Sequence, residues 1–126
     1  MKMNTMQKVV IFLHAEPGTH DALGRCAHAL LYALELHEQG VDVHLIFDGG
    51  GTKWIPELLK KDHLLNPLYR KVEKLGIIDA VCDYCISAFD VERKTIEQAN
   101  LSINGDYQGH PSLASYVLKG YQIICL

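Results

Sequence analysis

Cys82 and Cys85, in the string Val81-Cys82-Asp83-Tyr84-Cys85, are the residues of this 126-residue chain whose type and spacing best suit chemistry. Two thiols three positions apart can act in sequence. A thiolate at one attacks a sulfur electrophile, and its neighbour attacks the mixed disulfide or persulfide so formed, or pairs with it. A cysteine between a strand end and a helix start faces backbone N–H groups and the positive end of the helix dipole, both of which favour the thiolate. Asp83 opposes this, because a nearby carboxylate raises a thiol pKa. The competing reading makes both residues small buried packing groups. Cys26, on the inner stripe of a helix, and Cys125, in a terminal strand, fit that second role better.

His14, His20, Asp48, Gly49 and His110 follow apolar runs or sit in Gly/Pro-containing loops, so they are candidates to bind an anion or tune a thiol at one rim. His44 alternates within a strand and His37 lies near a helix end, so neither suggests a site. A structural zinc site usually draws on two paired ligand sets, and one Cys pair is present; His14, His20 or His110 would complete a site only through tertiary placement. No metal and no cofactor are therefore expected. Asp48-Gly49-Gly50-Gly51-Thr52-Lys53 lacks the spacing of a phosphate-binding loop and reads as a flexible turn. A thioredoxin arrangement is excluded by position, since that fold places its Cys pair after an early strand and here the pair follows the third.

The elements that must position these residues alternate in type. Lys8–His14 is a nearly continuous apolar run, as in a strand buried on both faces. Pro17 and Gly18 stop it, and a helix over about His20–Gln39 carries an inner stripe of Leu23, Cys26, Ala27, Leu30, Leu31 and Leu34. Gly40 ends that helix. Val41–Phe47 is a second strand. Thr52 suits the cap of a short helix to about Lys61, and Asn66-Pro67 starts another with Leu68, Val72 and Leu75 inward. Ile77–Cys82 is the third strand. Asp90 suits the cap of a helix over Val91–Ala99. Leu101–Ile103 suits a short fourth strand, and Asn104–Gly109 is a polar loop. His110-Pro111 opens a helix to about Lys119 that buries Leu113, Tyr116 and Val117, and Tyr121–Leu126 is the final strand.

This alternation predicts a single three-layer α/β/α domain with a mainly parallel sheet of about five strands, residues 1–7 forming a loose N-terminal extension. In such sheets ligands bind beyond the carboxyl ends of the strands, which is where Cys82 and the rim residues fall. A net charge of −3 gives no ground for nucleic acid or an anionic membrane as partner. The apolar runs are too short to cross a bilayer, and no small-residue cleavage site follows the N-terminal run, so a cytoplasmic address with free thiols is expected.

Together the strand KVVIFLH, the Pro/Gly loop, the long helix, VDVHLIF before Asp48-Gly49, VCDYC at the third strand end and the LASYVLKGYQIICL ending resemble the DsrE/DsrF-like family of small sulfur-relay proteins, including its YchN-type members. The resemblance spans nearly the whole chain and implies the same α/β/α fold. It implies that Cys82 accepts sulfane sulfur as a persulfide and passes it on, with Cys85 as a neighbour found in some members. It also implies a homo-oligomer, trimer or hexamer, and sulfur donor and acceptor proteins or small thiols as partners. Two alternatives stand beside sulfurtransferase-like activity: a non-catalytic oligomeric module that binds a small ligand, and a Cys82–Cys85 dithiol redox pair.

Overall fold

A computed structural model describes residues 6–126. Five strands, β1 (Lys8–Leu13), β2 (Asp42–Phe47), β3 (Ile78–Cys82), β4 (Ile103–Asn104) and β5 (Gln122–Cys125), form one sheet in the order β4-β3-β2-β1-β5. Every pairing is parallel. The chain thus has the α/β class that its alternation predicts. Of the expected N-terminal extension, residues 1–5 lie outside the described residues. Gln7 is not loose, because its carbonyl accepts from the Asp42 amide at 2.9 Å.

Topology explains why the two faces of this sheet differ. From β1 to β4 each right-handed crossover steps the same way, so α1 (His20–Glu38), α2 (Trp54–Leu58), α3 (Asn66–Lys74), α4 (Asp83–Ala88) and α5 (Arg93–Gln98) belong to one side. The return from β4 to β5 steps the other way and puts α6 (Leu113–Leu118) alone on the opposite side. The main core accordingly joins Ile11, Leu13, Leu45 and Phe47 to Leu30, Ile55, Leu58 and Val72 from the helices. Burying each such side chain contributes about 1.5–3 kcal/mol. The second core is small, with Val10, Phe12, Ile46 and Ala80 under Tyr116 and Tyr121.

Several expectations need correction, and most trace to this asymmetry. In α1 the buried stripe is Ala22, Cys26, Ala29, Leu30 and Ala33, while Leu31 is exposed. The alanines let the helix lie close on the sheet, and the larger leucines flank it. In α3 the buried face is Asn66, Tyr69 and Val72, with Leu68 and Leu75 only partly covered. Leu113 and Val117 on α6 are half exposed, because among the described residues no second helix covers that face. Cys125 is exposed in the edge strand β5, whereas Cys26 is buried as expected. Thr52 caps nothing: its hydroxyl donates to Gly49 O, and Asp48 caps the 3-10 turn Gly49–Lys53 instead. Asp90 stands in the left-handed region at φ 55°, and α5 starts after Glu92. The fourth strand lies at Ile103–Asn104, slightly after the apolar triplet that marks it in sequence.

Candidate functional site

Beyond the carboxyl ends of β1, β2, β3 and β4 the chain brings together His14, Asp48, Cys82, Cys85 and His110. Each arrives for a local reason. β3 ends at Cys82, which takes an extended conformation and caps α4 through its sulfur: the Cys85 amide donates to Cys82 Sγ at 3.4 Å. One turn of α4 then returns Cys85 beside Cys82, with both residues buried. A helix directly behind Cys82 is the arrangement the strand-end reading requires.

Asp48 is fixed by the three glycines that follow it. Its Oδ1 accepts from the Gly49 amide at 2.9 Å, and Gly51 N donates to Asp48 O at 2.8 Å. The turn is not a flexible spacer. A Cβ on Gly51 would stand 1.9 Å from Leu13 O, and one on Gly50 would stand 2.6 Å from Glu16 Cβ. The glycines allow the turn to press on the end of β1. There His14 Nε2 meets Asp48 Oδ2 at 3.1 Å. Gly49, at φ 53°, supplies a left-handed residue and lies against the His14 ring, so its part is positional.

His110 comes from the far side of the rim. Tyr107 and His110 exchange backbone hydrogen bonds of 2.7 and 2.8 Å across a tight turn whose middle residues, Gln108 and Gly109, both have positive φ. Gly109 O accepts from Tyr84 N at 2.8 Å, which ties this turn to α4. His110 Nδ1 then lies 3.2 Å from Cys82 Sγ, 3.7 Å from Cys85 Sγ and 4.0 Å from Asp48 Oδ1. Cys85 Sγ reaches Asp48 Oδ1 at 3.5 Å. His110 is 40% exposed while Cys82 is fully covered, so the imidazole and its turn separate the thiols from solvent.

Electrostatics at the rim work against a free thiolate. Burial pushes the Cys82 thiol above its ordinary range, and the Cys85 thiol and the Asp48 charge add to this; only the Cys85 amide pulls it back. The Cys85 thiol is raised as well, chiefly by burial. The expectation of a thiolate stabilised by the helix start is therefore corrected: the amide contact exists, but burial outweighs it. The opposing carboxylate is Asp48 rather than Asp83, which turns away to pair with Arg93 at 2.8 Å. Asp48 itself is held ionised. Burial would raise its pKa, but the hydrogen bonds from His14 and Cys82 and the Gly49 amide lower it to about 2. Both sulfurs thus rest as thiols beside an unprotonated carboxylate and a ring nitrogen that can take a proton.

Of the rim residues singled out in sequence, His14, Asp48, Gly49 and His110 converge with the Cys pair. His20 does not. It lines a separate cleft with Thr19, Leu23, Trp54 and His63. The site lies over β1–β4, on one side of the β1–β5 boundary where strand order reverses.

A second polar cluster escaped the sequence reading. On the thin face of the sheet, His44 Nδ1 meets Asp79 Oδ1 at 2.7 Å and its Nε2 meets Asp42 Oδ1 at 2.9 Å. Tyr116 donates to Asp79 Oδ2 at 2.6 Å and Tyr121 to Asp42 Oδ2 at 2.7 Å. Asp79 joins because of a bulge: Leu45 pairs with Ile78 and Ile46 with Ala80, which leaves Asp79 as the extra residue turned toward His44. A charged residue within an apolar strand, Asp79 in Ile77-Ile78-Asp79-Ala80-Val81, is the sequence signal that could have pointed to it.

No protein-family model matches the chain. Among the described residues no helix is long and apolar enough to cross a membrane. A conserved protein of unknown function from Bacteroides thetaiotaomicron, BT1422, superposes with a TM-score of 0.65 over 98% of this chain and 100% of its own, at 20% identity; it is similar in fold. The uncharacterized protein MJ0733 of Methanocaldococcus jannaschii is 37% identical over 97 residues, which cover 77% of this chain and 76% of that protein. At that identity and coverage, the chain belongs to the same family as MJ0733.

Proposed function

We propose that the protein is a sulfur carrier of the DsrE/DsrF-like kind, in which Cys82 accepts sulfane sulfur and hands it to an acceptor thiol. The observation that carries this reading is the 3.2 Å approach of His110 Nδ1 to Cys82 Sγ at the end of β3. With its proton on Nε2, the His110 ring presents a lone pair at Nδ1 to the Cys82 thiol. His110 takes the thiol proton as the sulfur attacks the outer sulfur of a donor persulfide. The donor's S–S bond breaks and a new S–S bond forms on Cys82. The departing donor thiolate receives the proton from His110. An acceptor thiolate then attacks the outer sulfur on Cys82, which leaves Cys82 as a thiolate and the acceptor as a persulfide. No net oxidation occurs in either step.

The Cys85 amide, 3.4 Å from Cys82 Sγ, supports the anion at both moments when negative charge rests on that sulfur. A donor must approach past His110 and the 107–110 turn, so transfer requires that turn to move. Partners in this reading are thiols of other proteins or small molecules in a reducing, cytoplasmic setting. Assembly with further copies is part of it: Tyr107, Leu113, Val117 and Leu118 expose apolar surface beside the rim.

Intact-mass measurement after incubation with a persulfide donor tests the proposal. The wild-type chain is expected to gain one sulfur atom, removable by dithiothreitol, and Cys82→Ser to gain none. Equal gain by Cys82→Ser, with its fold verified by circular dichroism, defeats the reading.

A further inference from the structure

The same corner holds the makings of a metal site, and this inference does not depend on sulfur transfer. We propose that Asp48, Cys82, Cys85 and His110 bind one zinc ion with tetrahedral geometry. The four donor atoms, two Sγ, one imidazole Nδ1 and one carboxylate oxygen, all lie within 4.8 Å of one another. Zinc binds Cys sulfur at about 2.3 Å, His nitrogen at about 2.0 Å and carboxylate oxygen at about 2.0–2.2 Å, so the edges of such a tetrahedron measure roughly 3.2–3.8 Å. The separations here are 3.2 Å from Cys82 to His110, 3.7 Å from Cys85 to His110, 3.5 Å from Cys85 to Asp48 and 4.0 Å from His110 to Asp48. With no pair farther apart than 4.8 Å, closing on an ion needs shifts of at most about an ångström.

Donor chemistry selects the metal. Two thiolates and an imidazole favour zinc over calcium or magnesium, which prefer all-oxygen ligands. One Cys pair left no metal site legible in the sequence because the two further donors come from segments 34 residues before Cys82 and 25 residues after Cys85. The surroundings also resemble those of a metal ligand set. His14 holds the second carboxylate oxygen of Asp48 at 3.1 Å, and the Cys85 amide donates to Cys82 Sγ. The partly exposed His110 gives an entry path. Binding replaces two S–H protons with two Zn–S bonds and so releases two protons per ion, with no change of oxidation state. Zinc and sulfane sulfur would then compete for Cys82, and zinc would hold the carrier silent.

The test titrates the reduced 126-residue chain with Zn²⁺ against a chromophoric chelator, and with Co²⁺ as a spectroscopic stand-in. Expected are one ion per chain, about two protons released, and for Co²⁺ a thiolate charge-transfer band with intense tetrahedral d–d bands. Loss of an orienting neighbour lowers metal affinity about 10–100-fold. His14→Ala is expected in that range, and Cys82→Ser or His110→Ala beyond it, while Cys125→Ser binds as wild type. Asp48→Asn, nearly identical in shape, guards against misfolding and is expected to lose at least about tenfold. A cobalt spectrum without the thiolate band, or zinc affinity unchanged in both Cys82→Ser and Asp48→Asn, overturns the proposal.

Discussion

Of the histidines that stand beside a carboxylate, His44 and His110 have surroundings that differ in kind. His44 is closed in: both ring nitrogens face aspartates, and the second oxygen of each aspartate takes a tyrosine hydroxyl. Each polar side-chain atom of that chain of groups has a hydrogen-bond partner, and none of those partners is a sulfur. His110 is open: its Nδ1 faces two thiols whose other contacts are long, Cys82 Sγ to Gly109 O at 3.8 Å and Cys85 Sγ to Asp48 Oδ1 at 3.5 Å, and the ring borders solvent. The first arrangement holds a fold together. The second leaves bonding capacity for an incoming group. Satisfied polar networks rigidify, whereas poised ones react or bind, and this contrast is why the proposed chemistry is sought at the strand ends rather than on the sheet face.

This comparison can be broken at several points. The largest effect is expected at the turn that carries Asp48. Gly51→Ala drives a methyl into Leu13 O, which backbone must move to relieve. A loss of about 3 kcal/mol in chemical denaturation is expected, together with lost rim function and an intact His44 cluster by NMR. A variant as stable as wild type would show that the turn tolerates displacement.

Next comes His44→Ala, which leaves Asp42 and Asp79 without the imidazole that bridges them. About 2 kcal/mol is expected to be lost, less than for a fully buried pair because the cluster is partly exposed. Persulfide formation at Cys82 should persist, since no rim contact involves His44. The pH dependence follows from the same cluster. The hydrogen bond to Asp79 raises the His44 pKa, against desolvation and with help from Asp42. The groups that face it or its partners are Asp42, Asp79, Tyr116, Tyr121 and, over the Tyr121 ring, Lys8. A raised pKa means the folded state holds the proton more tightly than the unfolded one. Its stabilisation is complete below about pH 6.5 and is lost as pH rises through the folded value. The Tm of wild type should therefore fall as pH rises above about 6.5, and that of His44→Ala should stay flatter. The smallest effect is expected for Tyr121→Phe, which removes one hydroxyl from Asp42 for about 1 kcal/mol.

Much of the fold was legible because it is written in local patterns. Apolar runs between Gly40, Gly76 and Gly120 mark strands and helix ends, and each of those glycines has positive φ as a helix stop requires. The Cys pair, His14, Asp48 and His110 were legible as rim residues from the carboxyl-end rule alone. What stayed hidden was tertiary. No local signal separates His110, which reaches the thiols, from His20, which faces another cleft. Nor does sequence show that α6 stands alone on its face, which is why Leu113 and Val117 read as core residues. The strand bulge that turns Asp79 to His44 depends on register, so alternation within β2 hid that cluster. The triple glycine read as slack because its need is a close approach to Leu13, a contact between distant segments.

The central claim is that reactivity follows the open His110 arrangement rather than exposure. Cys125 is the exposed cysteine of the chain and Cys82 a covered one, so the two make a direct test. Tandem mass spectrometry of wild-type protein treated briefly with a persulfide donor locates the added sulfur. The account predicts it on Cys82, with that signal lost in His110→Ala. Sulfur found on Cys125 with Cys82 unmodified would contradict it.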